Sequence, residues 1–99
     1  MTGRIKYEFS GNTWQYPSPG GWHFISVPKE LSKEIRGILR SEEEGWGRLK
    51  ATAKIGGTEW KTAIWFDTKM NIYLLPVKAE VRKKEKIETG KEHKVIIWI

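Results

Sequence analysis

The chain has no cysteine, one aspartate (Asp67), two histidines (His23 and His93) and four prolines in 99 residues. Without thiols it can form no disulfide, no thiolate metal site and no cysteine nucleophile. Two histidines far apart in sequence do not make a metal cage, so neither a metal nor a cofactor is expected. A single aspartate and the lack of any serine in a strand–turn–helix elbow leave little for hydrolysis, and no catalytic residue is assigned. The pairs Gly20-Gly21 and Gly56-Gly57 lack the helix and lysine that turn a glycine loop into a phosphate cradle. No apolar run approaches the roughly 20 residues of a membrane span. The first residues also lack a secretion signal's apolar stretch, so a cytoplasmic protein without membrane association is expected.

What the chain does have is charge and aromatic rings. Lysine and arginine outnumber the acids for a net charge of +6, and twelve residues in a hundred are aromatic, including six tryptophans. Residues 1–99 suffice for one domain with one core, to which the tryptophans are assigned. The charge favours an anionic partner, either an anionic ligand or nucleic acid, without choosing between them. The partner is otherwise unknown, and a monomer or small homo-oligomer is expected.

Alternation places Ile5, Tyr7 and Phe9 on one face of a first strand that begins at Arg4. Apolar residues then resume at Trp14 and Tyr16, which predicts a bulge at Ser10-Gly11. Trp22 to Val27 reads as a strand covered on both sides, and Pro28 opens a helix with Leu31, Ile35, Ile38 and Leu39 on one face. The segment Arg48 to Phe66 predicts a hairpin turning at Gly56-Gly57, with Leu49 opposite Ile64, Ala53 opposite Trp60 and Lys54 opposite Glu59. Asp67 to Asn71 reads as a turn and Ile72 to Leu75 as a strand. Pro76 precedes a short helix with Val77 and Val81 inward, and the apolar Val95 to Ile99 reads as a central strand. Strand, proline, basic helix, glycine and strand thus occur twice, a weak internal repeat that a pseudo-symmetric barrel explains.

The stretches Gly20-Gly21-Trp22-His23-Phe24, Gly45-Trp46-Gly47, Ile55-Gly56-Gly57, Trp60-Lys61-Thr62 and Tyr73 to Lys78 resemble, in order and spacing, the domain of unknown function 1905 family. The resemblance spans nearly the whole chain. It implies a mainly β fold, a closed double-split β-barrel of about six strands with two short α-helices capping its ends, related in architecture to the AbrB and MazE barrels. It implies no activity, and the fold analogy to DNA-binding barrels does not transfer function. The chain departs from the family pattern after Thr62, where Ala63 replaces a serine and Phe66 a proline.

Two sets of residues are candidates for binding. Tyr16, Trp22 and His23 flank the Gly20-Gly21 turn, where rings can stack on a planar or sugar ligand and a lysine such as Lys61 or Lys78 can take an anion. Trp22, His23, Trp46, Tyr73 and Lys78 all lie at or beside strand ends and are expected to meet at one rim of the barrel. The alternative is a nucleic-acid interface on the helices, with Lys29, Lys33, Arg36 and Arg40 on the first and Lys78, Arg82 and Lys86 on the second. An enzyme using the neighbourhood of His23 ranks third. A non-catalytic binding or interaction module is the leading expectation.

Overall fold

A computed structural model describes residues 5–99. Arg4, the predicted start of the first strand, lies outside the described residues. Six strands, β1 (Lys6–Gln15), β2 (His23–Ser26), β3 (Arg48–Ile55), β4 (Thr58–Asp67), β5 (Ile72–Pro76) and β6 (Glu92–Trp98), close into an antiparallel barrel in the order β1-β2-β5-β4-β3-β6. Two helices interrupt them, α1 (Lys29–Leu39) after β2 and α2 (Ala79–Lys84) after β5. Because β2 and β5 run antiparallel, the helices plug opposite ends. No helix among the described residues is long and apolar enough to cross a membrane.

The hairpin forms in the predicted register. Leu49 faces Ile64, Ala53 faces Trp60 and Lys54 faces Glu59. The inward set Leu49, Ala53, Ile55, Trp60 and Ile64 joins Tyr7, Phe9, Ile25, Leu75, Val95 and Ile97 in one core. Ala53 leaves room for the indole of Trp60, so one small residue admits the barrel's bulkiest inward side chain. Beyond Ile55, Gly56 takes φ 58°, and a Cβ there would meet Glu85 Oε1 at 2.0 Å. The same Glu85 accepts a hydrogen bond from the Thr58 hydroxyl, pinning the tail of α2 to the hairpin turn.

Four expectations are corrected. The bulge at Ser10-Gly11 does not exist: β1 runs unbroken, with Tyr7, Phe9, Gly11 and Thr13 inward. Gly11 is there because β2 passes close by, and a Cβ on it would lie 2.2 Å from the Ser26 carbonyl oxygen. Nor are the tryptophans core residues. Only Trp60 is buried, whereas Trp14, Trp65 and Trp98 are half-buried on the outer face and Trp22 and Trp46 are exposed. Six strands enclose too little space for six indoles. On α1, Ser32 and Ile35 are buried while Ile38 stands in solvent. Finally, α2 ends at Lys84 and Lys86 takes φ 52°, so Lys86 leaves the helix face it was expected to share with Lys78 and Arg82.

The expected repeat is an internal two-fold. Exchanging β1-β2-α1-β3 with β4-β5-α2-β6 returns the same strand order, and the ladders follow residue by residue. Trp14↔Phe24 maps onto Trp65↔Leu74, Gln15↔His23 onto Phe66↔Tyr73, and Phe9↔Val95 onto Trp60↔Ala53. The pairs Ile25↔Leu75 and Lys54↔Ile96 map onto themselves and mark the axis. The hydrogen bonds Val27 N–H to Tyr73 O and Val77 N–H to His23 O, 3.0 and 2.9 Å, exchange in the same way. His23 and Tyr73 are therefore twins, as are Gly11 and Thr62, and Ser26 and Pro76.

Candidate functional site

The twin seams differ, and the difference makes a notch. Between β1 and β2 the ladder includes Thr13↔Ile25, and Gly11 lets the strands close up further along. Between β4 and β5 pairing stops at Trp65↔Leu74, and β5 ends at Pro76, which has no N–H to donate to a neighbour. Trp60, Lys61 and Thr62 of β4 then face Trp22 and His23 across a gap floored by Val77, with a volume of about 380 Å³. That volume lies at the lower end of the range for small-molecule sites.

The notch is cationic and aromatic. Trp22 is backed by Phe24, ring centroids 6.3 Å apart and nearly parallel, and is otherwise 65% exposed. Lys61, Lys78 and Arg82 line the cavity, and no carboxylate does. Lys78 has an exposed neighbour in Glu80 at 3.8 Å. Arg82 is held in place, its Nε–H donating to Val77 O at 3.2 Å.

Arg82 also fixes the state of His23. A guanidinium only donates, so its contact at 3.4 Å from Nη1 makes His23 Nε2 an acceptor and puts the ring proton on Nδ1. Desolvation, and after it the charge of Arg82, holds the His23 pKa below the ordinary histidine value, which keeps the ring neutral. Its Nδ1 is buried and has no protein partner.

At the other end of the barrel the twin position is filled. Tyr73 is fully buried, packs edge-on against Phe66 with centroids 5.1 Å apart, and donates its hydroxyl to the Glu43 carboxylate. Burial first, then the bond to Glu43, pushes its pKa up. Arg36 covers the cluster, its guanidinium 3.7 Å from the Phe66 centroid and 3.8 Å from Glu43.

The expected five-residue rim is thus corrected. Trp22, His23, Lys61 and Lys78 line the notch at the α2 end, whereas Tyr73 is sealed at the α1 end. Trp46 is also away from the notch: it is 90% exposed, with φ 67°, in a turn whose Gly47 abuts Phe66. Tyr16 lies outside the notch, in a shallow outer depression with Trp14 and Met70. Sequence reasoning assigned Arg82 to the helix face and missed its place beside His23. It also missed Thr62 as a lining residue, because the early end of β5 has no signal beyond Pro76. The α1 row survives in part: Lys29, Lys33 and Arg40 border a surface depression, but Arg36 is committed to Phe66 and Glu43, and Glu30 sits among them. No cluster of three or more histidine, aspartate and glutamate side chains among the described residues is arranged to hold a metal ion.

Comparison with known families gives one match: a family model described as Domain of unknown function (DUF1905) aligns with residues 9–97. No curated protein matches.

Proposed function

We propose, for a chain that belongs to the DUF1905 family and takes no activity from that family's description, that the notch binds a small anionic molecule carrying a planar ring. The observation that carries this reading is the gathering of Lys61, Lys78 and Arg82 beside the exposed indole of Trp22, around a cavity whose lining has no carboxylate. Like charges set together cost free energy unless anions compensate them, and Glu80 answers Lys78 alone. An indole left mostly in water beside them offers a face for stacking. Thr62, the one hydroxyl among the lining residues, donates to Ala63 O at 3.5 Å rather than to His23. These two groups form no nucleophile–base pair, which supports reading the notch as a binding site.

Titration with a panel of nucleoside 5′-monophosphates, followed by tryptophan fluorescence and calorimetry, tests the reading. The mononucleotides should bind more tightly than inorganic phosphate, since only they stack. Trp22→Ala and Arg82→Ala should each weaken binding by about tenfold or more while the far-UV circular dichroism is retained. Replacing Lys29 and Lys33 by Glu should change nothing. Binding that is undetectable at low salt, or indifferent to both Trp22 and Arg82, overturns the proposal.

A further inference from the structure

We infer that the notch is one end of a longer site, and that the outer face of β3 and β4 carries a single-stranded oligonucleotide leading away from it; this rests on the notch reading and extends it. Immediately outside the notch a shallow groove runs over the barrel wall, sharing Trp22, Lys61, Thr62 and Pro76 with it. Its remaining floor is Thr52 and Ala63, and Arg48, Lys50 and Trp65 border it. The register fixes the layout. Trp65 lies opposite Arg48, whose guanidinium sits 5.7 Å from the indole centroid, and Lys50 lies opposite Ala63. Four residues along β4 from Trp65, about 13 Å at strand rise, comes Lys61, opposite Thr52, and Thr52 pairs on its other side with Trp98 of β6.

The indoles of Trp22 and Trp65 therefore border the groove, and Arg48, Lys50 and Lys61 line it with them. Sequence-independent single-strand binding uses this combination, rings that stack bases and cations that follow the backbone. Among the described residues the carboxylate paired with these cations is Glu44, which bonds Arg48 and lies 3.8 Å from Lys50. It leaves the groove with an excess of positive charge. That excess argues against a second copy as the occupant. A two-fold contact would lay the patch on itself and set Arg48, Lys50 and Lys61 against their own copies. An anionic chain with planar groups meets no such repulsion.

The test compares mononucleotide with oligomer. Oligothymidylate and oligouridylate of about eight nucleotides are titrated beside the matching monophosphates, at several salt concentrations. The oligomers should bind at least tenfold more tightly than the monophosphates, and three phosphates on Arg48, Lys50 and Lys61 should give log K a slope of about −2 against log salt. Lys50→Glu and Trp65→Leu, which lie outside the notch, should each remove roughly fivefold to a hundredfold of oligomer affinity and leave monophosphate affinity unchanged. Thermal melts of both variants establish that they fold. Oligomers that bind no better than monophosphates overturn the inference and leave the notch reading standing. Monophosphates that fail while oligomers bind in a Lys50-dependent way overturn the notch reading and leave the groove. Oligomer binding lost with Lys29 and Lys33 instead, or a dimer in solution that shields Trp65 from quencher, also overturns it, in favour of the α1 row or a second copy. A preference for uridylate over thymidylate oligomers marks RNA as the natural strand, and the reverse marks DNA.

Discussion

One of the exchanges that separate the two ends of the barrel is histidine for tyrosine at twin positions. Tyr73 spends its ring and hydroxyl on Phe66 and Glu43, whereas His23 keeps one nitrogen on Arg82 and leaves the other without a partner. His23→Tyr should therefore cover the notch and abolish mononucleotide binding with little loss of melting temperature. Retained affinity would show that the cavity is not the ligand's seat. The histidine also imposes a pH dependence on stability. Its folded pKa lies below the ordinary value of 6.5, so below that pH the unfolded chain binds the proton more readily. Stability is then full above about pH 6.5 and declines as pH falls through the depressed folded value. Urea melts between pH 7.5 and 5.5 should show this decline, and His23→Gln should flatten it. That Trp22, His23, Lys61 and Lys78 line one cavity was foreshadowed by the glycines and prolines that mark the strand ends near them. Tyr73 was not, because its fate depends on Glu43, thirty positions away, and no local pattern announces such a partner.

Among the elements, the β3–β4 hairpin was fully legible, since Gly56-Gly57 fixes the turn and size and charge complementarity then fix every pair. Ala53→Leu should overpack against Trp60 and destabilise by about 1 to 3 kcal/mol in denaturant titration. A change near zero would contradict the close fit of that pair. The β1–β2 seam was misread. Glycine in a strand signals either a bulge or a close approach of another backbone, and the sequence does not distinguish them. At Gly11 it is close approach, and a carbonyl oxygen on a hydrogen-bonded strand cannot yield as a side chain can. Gly11→Ala should cost about 3 kcal/mol or more, while Thr62→Ala, at the open twin seam, should cost less than about 1 kcal/mol. Equal costs would mean that the seams are equally tight. The second helix was legible in existence but overextended, because the lysine-rich run past Lys84 keeps helical composition while Ile87 folds back into the barrel.

For the molecule as a whole, a pseudo-symmetric closed barrel was implied by the repeated proline–helix plan, and the destination of the tryptophans was not. Hydrophobicity argues for burial, yet the core fills with Tyr7, Phe9, Trp60, Tyr73 and aliphatic residues and leaves the remaining indoles outside it. The internal two-fold makes a further prediction. Ile5 and Ile99 exchange both backbone hydrogen bonds, 3.1 and 2.9 Å, so the first and last described residues lie side by side. They stand where the Gly56-Gly57 turn stands in the other half. Joining Ile99 to Ile5 through a short linker and opening the chain between Gly56 and Gly57 should give a circular permutant with the same spectrum and nearly the same melting temperature. A permutant that aggregates or melts far lower would mean that the halves are not interchangeable in folding. The same symmetry bears on division of labour. A chain of half this length, pairing with a copy of itself, could close the same six ladders, but its two seams would be identical: both tight, and unable to admit a guest, or both open, and doubly weakened. Covalent union of the halves releases that constraint. One seam, closed over Gly11, can be kept shut to hold the barrel together, while the other, cut short at Pro76, is left open to receive.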